Sequence, residues 1–386
     1  MPEASGRPLK IIYVNHVGQC SGAELSLLSL LRHLPREQVQ PWAVVPPGPL
    51  SDRLAALDIP ITPIRAHRFH RSGKLRNWLS TFRWLHQTRR QVVSLHRRIG
   101  ADLIHANSLS ACLPVIARGR PLPPVVLHFR DLAGPPLFLR WVVPRCAAVI
   151  AISRVVERRV REEAPASADR VRVIYNGIAA DDLPPGRGRE AVRAELGAGP
   201  QTPVVISVGQ LVPWKRHDLL LEAARELQTA LPEARWWVVG ADLFEDNAEY
   251  ARRLREEAPA NVVFTGYRPD AVDLLRAADV CAHAATAEAF GRVLLEAMYV
   301  GTPCVAPAAG GIPELLTHDV TGWLVPPAEA PALARGVQRL LADAPLRERL
   351  AAAAQESARS EFSAQGTAAA TVALYRELRG RRDACA

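Results

Sequence analysis

The chain has 386 residues, a mean hydropathy of −0.01 and a formal net charge of +9. This length exceeds what one ordinary hydrophobic core accommodates, so two domains of about 150–200 residues are expected. The longest apolar run, residues 146–152, has seven residues, whereas a membrane-spanning helix needs ~18, and no basic-then-apolar signal sequence opens the chain.

Short apolar runs alternate with amphipathic stretches in the first half of the chain. The runs are KIIYVNHV, PWAVVPP, ADLIHAN, PVVLHFRD and AAVIAIS. Continuous apolar runs are typical of parallel strands that are covered on both faces, and stretches such as AELSLLSLLRHL predict helices between them. The pattern therefore predicts an α/β domain with a doubly wound parallel sheet over residues 1–175.

A second series of the same kind follows Asn176 and Gly177. Its predicted strands are VVISVGQ, RWWVVGAD, NVVFTGY, VCAHAA and TPCVAPA, and a segment rich in Gly, Pro and Ala separates the two series. We assign this second domain to residues 176–362, and expect a C-terminal helix over about 363–386 to pack back on the first domain. Two Rossmann-like domains that face a central cleft are the predicted architecture, with ligands bound beyond the carboxyl ends of the strands.

The loop after strand VVISVGQ contains Lys215. A cation at a strand end can meet a phosphate group. The alternative is a solvated loop lysine.

The stretch EAFGRVLLEAM, residues 288–298, contains two carboxylates eight positions apart. Gly291 predicts a break that leaves Glu288 in a loop and Glu296 in the helix that follows. The glycine lets the backbone approach a ligand closely, and the N–H groups at the helix start suit a diphosphate. Glu296 would accept hydrogen bonds from ribose hydroxyls; the alternative is that it faces solvent, as most helical glutamates do.

Shortly after this stretch, Gly310 and Gly311 permit a tight turn before a helix that begins near Pro313. Glu314 is equally suited to a structural place in the first turn of that helix, where the helix dipole favours an acid.

The ordered series GQLVPWK, TGY, EAFGRVLLEAM, GTPCVAPAAGGIPE and TGWLVPP resembles the nucleotide-binding half of the retaining GT-B glycosyltransferases of family four. The resemblance runs from about Val171 to Pro327 and includes the paired glutamates with seven residues between them. It implies that Glu288 contacts the donor sugar and that Glu296 binds the ribose. It also implies that Lys215, together with Phe290 and Gly291, binds the diphosphate.

The same resemblance implies that Tyr267 and Arg268 lie beside the nucleotide base. In the first half, CSGAELSLLSLLRHL is similar to the family's glycine-containing loop and helix under the donor phosphates. Gly22 belongs to that loop, with Ser21 where a second glycine is usual.

The segments ADLIHANS and VLHFRDL resemble the family's strand ends around the acceptor. The similarity makes His128 the candidate to contact the donor or acceptor sugar, and places Asn107, Arg130 and Asp131 in the acceptor region. His105 is expected to be a packed or hydrogen-bonded histidine.

Gln210 departs from the family pattern, in which an arginine is usual. Arginine would bring a bidentate charge to the diphosphate, whereas glutamine brings a neutral amide. Lys215, helped by Arg216 or Arg292, would then carry more of the interaction.

No cofactor or metal is expected. The chain has no D-x-D tripeptide to hold a metal on the diphosphate and no strand–G-x-G-x-x-G–helix unit for a dinucleotide. A transferase without a metal needs fixed cations and helix N-termini to stabilise the leaving diphosphate.

Positive charge is concentrated in the first half. Residues 1–175 contain 26 Lys/Arg and 11 Asp/Glu, and residues 65–98 contain ten Lys/Arg, four His and no acid. Leu75, Trp78, Leu79, Phe82 and Leu85 recur at helical spacing and predict an amphipathic basic helix. We expect its apolar stripe to pack on the sheet; the alternative is that the segment lies on an anionic membrane surface.

The six cysteines have neither metal-like nor redox spacing, which predicts reduced thiols and a cytoplasmic protein, with the inner face of the membrane as a possible location. Nucleic acid is not an expected partner, since no recognition motif accompanies the basic segment.

The predicted function is a retaining, metal-independent glycosyltransferase of cell-envelope, exopolysaccharide or glycolipid synthesis. A UDP-sugar is favoured over a GDP-sugar as donor, and the acceptor is a carbohydrate or a lipid-linked group. The alternatives are a nucleotide-sugar epimerase or hydrolase of the same fold, or a catalytically silent protein that binds nucleotides or polyanions. An NAD-dependent dehydrogenase is a less favoured alternative, because the chain has no strand–G-x-G-x-x-G–helix unit.

Overall fold

A computed structural model describes residues 7–67, 75–117, 122–132, 134, 136–243 and 245–385, without the side chains of 75–78, 136, 137 and 383–385. The chain forms two compact units. The first contains residues 1–177 and 364–386, and the second contains residues 178–363.

Seven parallel strands form the sheet of the first unit. They are β1 (Leu9–Val14), β2 (Val39–Val45), β3 (Ile61–Pro63), β4 (Leu103–Ala106), β5 (Val125–Phe129), β6 (Ala148–Ala151) and β7 (Val171–Val173). Their order is β3-β2-β1-β4-β5-β6-β7. Every residue of β4, β5 and β6 is buried, as the continuous apolar runs predict for strands covered on both faces.

Helices connect these strands. They are α1 (Gly22–His33), α2 (Pro49–Ala55), α3 (Leu75–Ile99), α4 (Leu109–Ile116), α5 (Pro136–Val142) and α6 (Arg154–Glu163), with 3-10 turns at Val143–Arg145 and Pro165–Arg170. The core of this unit lies between the sheet and helices such as α1, where Leu27, Leu30 and Leu31 are buried.

The second unit contains a six-stranded parallel sheet. Its strands are β8 (Val204–Val208), β9 (Arg235–Val239), β10 (Val262–Gly266), β11 (Val280–Ala282), β12 (Cys304–Pro307) and β13 (Trp323–Val325), in the order β10-β9-β8-β11-β12-β13. The first six strands of the other unit have the same relative order. Both sheets are therefore doubly wound and Rossmann-like, which confirms the predicted fold class.

Helices also separate these strands. They are α7 (Arg189–Glu195), α8 (His217–Leu227), α9 (Ala248–Glu256), α10 (Ala271–Ala277), α11 (Arg292–Val300), α12 (Ile312–Leu315), α13 (Ala330–Ala342) and α14 (Ala344–Ser360), with 3-10 turns at Ala180–Asp182 and Pro213–Lys215.

The last helix, α15 (Ala364–Cys385), belongs to the first unit and packs against α1. Its residues Val372, Tyr375 and Leu378 are buried in the core of that unit. Thr367 Oγ1 donates to the carbonyl of Tyr175 at 2.8 Å, which fastens the helix start.

The helix α3 is rotated differently from the prediction. Its buried residues are Trp84, Thr88, Val92 and Leu95, whereas Leu79 and Phe82 are 51% and 62% exposed. The expected packing of the whole apolar stripe on the sheet is therefore wrong for those two residues. The side chains at 75–78 and all of 68–74 lie outside the described residues.

Among the helices that the structure describes, none combines the length with the apolar character that a membrane crossing requires.

Candidate functional site

The predicted donor residues of the second unit lie where the strand order reverses. From β8 the chain continues toward one edge of the sheet, and from the adjacent β11 it continues toward the other. A crevice opens at the carboxyl ends of two such strands. Gln210 and Lys215 follow β8, while His283 and Glu288 follow β11, so the topology brings these groups together.

Glu288 is held by two nitrogen donors. Lys215 Nζ lies 2.5 Å from Glu288 Oε2, and His283 Nε2 lies 3.2 Å from the same oxygen. Burial acts to raise the pKa of Glu288, but the charge of Lys215 and the hydrogen bond from His283 outweigh it and hold that pKa below its usual range. Glu288 is therefore an ionised acceptor of hydrogen bonds, and it has no proton to give at neutral pH.

His283 was not predicted from the sequence. It lies just beyond β11 with 3% of its surface exposed, and burial lowers its pKa despite the carboxylate. A neutral imidazole therefore donates its Nε2–H to Glu288. The sequence signal was one polar residue within the apolar run VCAHAA, five positions before Glu288.

The loop that carries Glu288 rests on two glycines. A β-carbon at Gly310 or Gly311 would lie far inside van der Waals contact of the carbonyl oxygens of Glu288 and Ala289. The N–H of Gly311 donates to the carbonyl of Glu288 at 2.8 Å. Only residues without a side chain allow this approach, so the glycines set the height of the Glu288 loop above the sheet.

Gly291 is the N-cap of α11 in the left-handed conformation, with φ 103°, and no side chain of the described residues caps this helix start. The side chain of Phe290 is buried and packs edge-on against Phe362, with ring centroids 6.0 Å apart. A ligand at this helix start would therefore meet the backbone of Phe290 and Gly291 rather than the aromatic ring.

Glu296 lies on α11 with 7% of its surface exposed, so the alternative that it faces solvent is wrong. Arg292 Nε donates to Glu296 Oε1 at 2.9 Å. Burial raises the pKa of Glu296 above its usual value, with Arg292 opposing the shift. The carboxylate is buried inside the unit, and its ribose role stays a prediction.

Gln210 contributes a backbone contact, because its carbonyl accepts from His217 Nε2 at 3.1 Å. Its side-chain amide makes no hydrogen bond to the part of the chain that the structure describes. His217 is buried, and burial lowers its pKa to about 4. The amide of Gln210 is half-exposed and brings no charge to the loop that also carries Lys215.

Of the two predicted base-binding residues, Tyr267 is 52% exposed. Arg268 is held by two carboxylates, Asp270 at 2.7 Å and Glu195 at 2.5 Å. The arginine is therefore already fixed by ion pairs, and it orders the loop beside which the base is predicted to lie.

In the first unit, the predicted residues lie at the equivalent point of strand reversal. Asn15 follows β1 and Asn107 follows β4, and the Nδ2 of Asn107 donates to Asn15 Oδ1 at 3.1 Å. Arg130, beyond β5, donates to Asn107 Oδ1 at 3.0 Å and to Asn176 Oδ1 at 2.8 Å. The buried Arg130, which follows β5, therefore links the residues that follow β4 and β7.

His128 and His105 belong to the same cluster. Arg130 Nη2 lies 3.2 Å from His128 Nδ1, and His105 Nε2 lies 3.2 Å from that atom. Burial, with Arg130 and His105 adding to it, lowers the pKa of His128 well below its usual value. His105 is fully buried and bonded at both ring nitrogens, as predicted for a satisfied histidine.

Two other first-unit candidates adjoin this cluster, since Asn107 Nδ2 lies 3.4 Å from the carbonyl of Ala23, next to Gly22, and Asp131 directly follows Arg130. Asp131 is exposed, and its carbonyl accepts from Arg159 Nη1 at 3.2 Å. Gly22 begins α1, and a β-carbon there would meet no atom within 4 Å. Ser21 precedes it as N-cap, and both its N–H and its hydroxyl bond to Glu24 Oε2, at 3.1 and 2.5 Å.

Two family sequence models match the chain. "Glycosyl transferases group 1" matches residues 188–357, and "Glycosyltransferase Family 4" matches residues 20–182. Together they fall on the two compact units.

Curated relatives include D-inositol 3-phosphate glycosyltransferases. That of Kribbella flavida is 35% identical over 217 residues, which is 54% of this chain and 51% of the relative. That of Segniliparus rotundus is 32% identical over 291 residues, which is 73% of this chain and 63% of the relative. The chain thus spans between about half and two thirds of these relatives' length.

Solved structures resemble the whole chain. HepE of Anabaena in complex with UDP-glucose is 27% identical with a TM-score of 0.80, covering 96% of this chain and 99% of that chain. Sucrose-phosphate synthase from Thermosynechococcus elongatus, 22% identical with a TM-score of 0.79 over 97% of this chain and 100% of that chain, shows the same fold.

Proposed function

Since the chain belongs to glycosyltransferase family 4 and has the GT-B fold, we propose that it moves a sugar from a nucleotide diphosphate donor to an acceptor hydroxyl with retention of anomeric configuration. Its donor would bind at the strand reversal of the second unit. The resemblance to HepE bound to UDP-glucose favours a UDP-sugar.

The observation that carries the proposal is the placement of Lys215 and Glu288 at one strand reversal beside the start of α11 at Gly291, where no side chain of the described residues caps the helix. Lys215 supplies a fixed positive charge, and the N–H groups of the helix start favour an anion. The leaving diphosphate is the group that develops negative charge, so these elements stabilise the transition state more than the ground state. This supply of charge from the chain itself supports a reaction that needs no metal.

Glu288 suits the sugar end of the donor. Because its carboxylate is ionised and held by Lys215 and His283, it can accept hydrogen bonds from sugar hydroxyls in a fixed orientation. Glu296, eight residues later and inside α11, would hold the ribose. The proton of the attacking hydroxyl would pass to an oxygen of the departing diphosphate on the same face of the sugar.

The acceptor would be a carbohydrate or lipid-linked group, with Asn107, Arg130 and Asp131 in its neighbourhood. Residues 65–98 would bring the enzyme to the anionic inner face of the cell membrane. The exposed Leu79 and Phe82 on α3, among arginines and without an acid in the segment, support this peripheral location and a role in envelope or exopolysaccharide synthesis.

The experiment is turnover of UDP-glucose and other donors by Glu288→Ala and Glu296→Ala. We expect kcat/KM to fall by roughly 10²–10³ for Glu288→Ala, the loss typical of a group that orients the reacting centre, and KM to rise for Glu296→Ala. Glu233→Ala is the matched control, because this glutamate of the same unit is exposed and outside the site.

Unchanged turnover in both site variants would reject the assignment. Free sugar or an epimerised donor formed without any acceptor would instead identify a hydrolase or epimerase. Donor binding with no sugar transfer to any acceptor would identify a binding protein.

A further inference from the structure

A buried series of hydrogen bonds runs from α15 to His128. The hydroxyls of Tyr13 and Tyr375 lie 3.2 Å apart, and the Tyr375 hydroxyl lies 2.6 Å from His105 Nδ1. His105 Nε2 lies 3.2 Å from His128 Nδ1. None of these four side chains is more than 2% exposed, so water does not compete for the bonds.

Arg130 decides the direction of the series. Its Nη2 lies 3.2 Å from the same Nδ1 of His128. A guanidinium has five N–H donors and no acceptor, so the atom that it faces must present a lone pair. A proton on His128 Nδ1 would point at a cation.

Both imidazoles are neutral at ordinary pH. Burial and the charge of Arg130 lower the pKa of His105 to about 3, and burial, Arg130 and His105 hold the pKa of His128 well below its usual value. A neutral imidazole carries one N–H. Since Nδ1 of His128 is bare, its proton is on Nε2.

The remaining bonds agree with this assignment. His105 donates its Nε2–H to His128 Nδ1, which leaves its own Nδ1 to accept from the Tyr375 hydroxyl across the shorter of that hydroxyl's two contacts, 2.6 Å against 3.2 Å to Tyr13. Burial raises the pKa values of Tyr13 and Tyr375 far above neutrality, so both hydroxyls keep their protons. Tyr375 and His105 thus each donate one hydrogen bond in the direction of His128.

The last donor of the series has no acceptor among the described residues. His128 Nε2 is buried and makes no hydrogen bond to any residue that the structure describes. A buried donor without an acceptor is destabilising, because the hydrogen bond to water that it loses on burial is not replaced. An oxygen atom of a bound ligand would remove this cost.

We propose that Arg130 and His105 fix a single tautomer of His128, so that its Nε2–H is a permanent hydrogen-bond donor to a substrate oxygen and the residue cannot act as a base. Arg130 and His105 are then positioning residues. The tautomer stands on the geometry alone, whereas the identity of the oxygen as part of a sugar substrate rests on the proposed function.

The first test reads the tautomer directly. In protein labelled with ¹⁵N-histidine, long-range proton–nitrogen correlation spectra distinguish a protonated ring nitrogen from a bare one, and His128→Gln identifies the His128 signals by their loss. We expect a protonated Nε2 and a bare Nδ1. A proton on Nδ1 of the wild-type protein would overturn the proposal.

Two variants test the role of Arg130. Arg130→Lys keeps a cationic donor and is expected to keep the wild-type pattern, whereas Arg130→Met removes donor and charge and is expected to show protonated Nδ1. An unchanged pattern in Arg130→Met would overturn the role of Arg130. If Arg130→Met does not fold, the wild-type spectrum alone tests the tautomer of His128.

The second test separates a donor from a base. The amide N–H₂ of Gln reaches about as far as Nε2–H and cannot take up a proton, while Leu offers neither function. We expect His128→Gln to keep kcat/KM within tenfold of wild type and His128→Leu to lose about 10²–10³. Equal losses in both would overturn the donor role. A wild-type protein without transferase activity would reject the proposed function and leave the tautomer to the spectra.

Discussion

The side chains at positions 310 and 311 are hydrogen atoms, and the position of the Glu288 carboxylate depends on this. Gly310 has φ +57°, and a β-carbon there would fall against the backbone of Glu288. The loop that carries Glu288 can therefore approach the turn after β12 only because both residues are glycines. The position of Glu288 above the sheet is therefore set by Gly310 and Gly311, which lie more than twenty positions later in the chain.

We expect Gly310→Ala to destabilise the second unit and to reduce activity together. Positive φ and the clash would each cost about 1–3 kcal/mol, and the displaced loop would move Glu288 away from Lys215. Denaturant unfolding and kcat/KM measure the two effects.

Gly100→Ala is the matched control for backbone strain. Gly100 also has positive φ, +63°, but no atom lies within 4 Å of a β-carbon placed there. Gly100→Ala should reduce the free energy of unfolding only by the cost of the left-handed conformation, and kcat/KM should remain that of the wild type. Equal effects of the two substitutions would mean that the contact with Glu288 has no consequence.

The residues of the donor site were predictable where they belong to a motif and not where they act through packing. Lys215, Glu288 and Glu296 stand in a spaced series that the sequence displays. His283 carries no such signal, because a single histidine at a strand end resembles a core residue until its distance to Glu288 is known. The ion pair between Lys215 and Glu288 joins residues 73 positions apart, which no local pattern reports.

At the scale of elements, α3 shows which part of a helix determines its rotation. Phe82 precedes the buried Trp84 by two residues, about 200° around the helix axis, so the two aromatic rings cannot share a face. Trp84 is fixed by its indole N–H, which donates to the carbonyl of Arg65 at 3.0 Å. Val92 and Leu95 continue the same face, so the C-terminal half of the helix sets the rotation and leaves Phe82 exposed.

The exposed part of α3 predicts binding to anionic lipid. In flotation experiments, we expect recovery with vesicles containing phosphatidylglycerol and little with pure phosphatidylcholine, because arginines and exposed apolar side chains act together at a charged surface. Leu79→Ser combined with Phe82→Ser should reduce the recovery several-fold. Val320→Ser, which changes an equally exposed apolar residue of the second unit, should not.

Equal recovery with both kinds of vesicle would remove the membrane interpretation.

Strands were predicted more reliably than helix orientation. A parallel strand buried on both faces needs apolar residues throughout, so the run itself marks the strand, as in β4, β5 and β6. A helix that carries apolar residues on more than one face leaves its rotation undetermined, because only packing against the sheet chooses between them.

At the scale of the whole molecule, both units bring polar side chains together in the same way. In each sheet the order of strands reverses at the centre, and polar side chains from the two central strand ends meet there: Asn15 with Asn107, and Lys215 with Glu288. The series of strands and helices predicted this arrangement, because doubly wound sheets bind ligands at such reversals. The series of strands and helices did not predict the individual hydrogen bonds and ion pairs between these side chains.

Donor binding should stabilise the protein by mass action. We expect UDP-glucose at a hundred times its Kd to add about 2.7 kcal/mol, a rise in Tm of roughly 5–10 °C. A chelator should leave the shift unchanged, because Lys215 and the start of α11 supply the positive charge.

GDP- and ADP-sugars are expected to give smaller shifts, and Glu296→Ala should reduce the shift given by the same concentration of UDP-glucose. A larger shift with a GDP-sugar, or loss of the shift on chelation, would contradict the predicted base preference or the metal-independent site.

The return of α15 to the first unit means that residues 178–363 form a cassette with two junctions, one at Gly177 and Ile178 and one at Ser363 and Ala364. Every contact described for Lys215, Glu288 and Glu296 lies inside this cassette. Hybrid proteins that exchange one donor half for another therefore need both junctions. A single crossover near residue 177 would bring in a foreign last helix, and with it a foreign residue at Tyr375, which lies against His105.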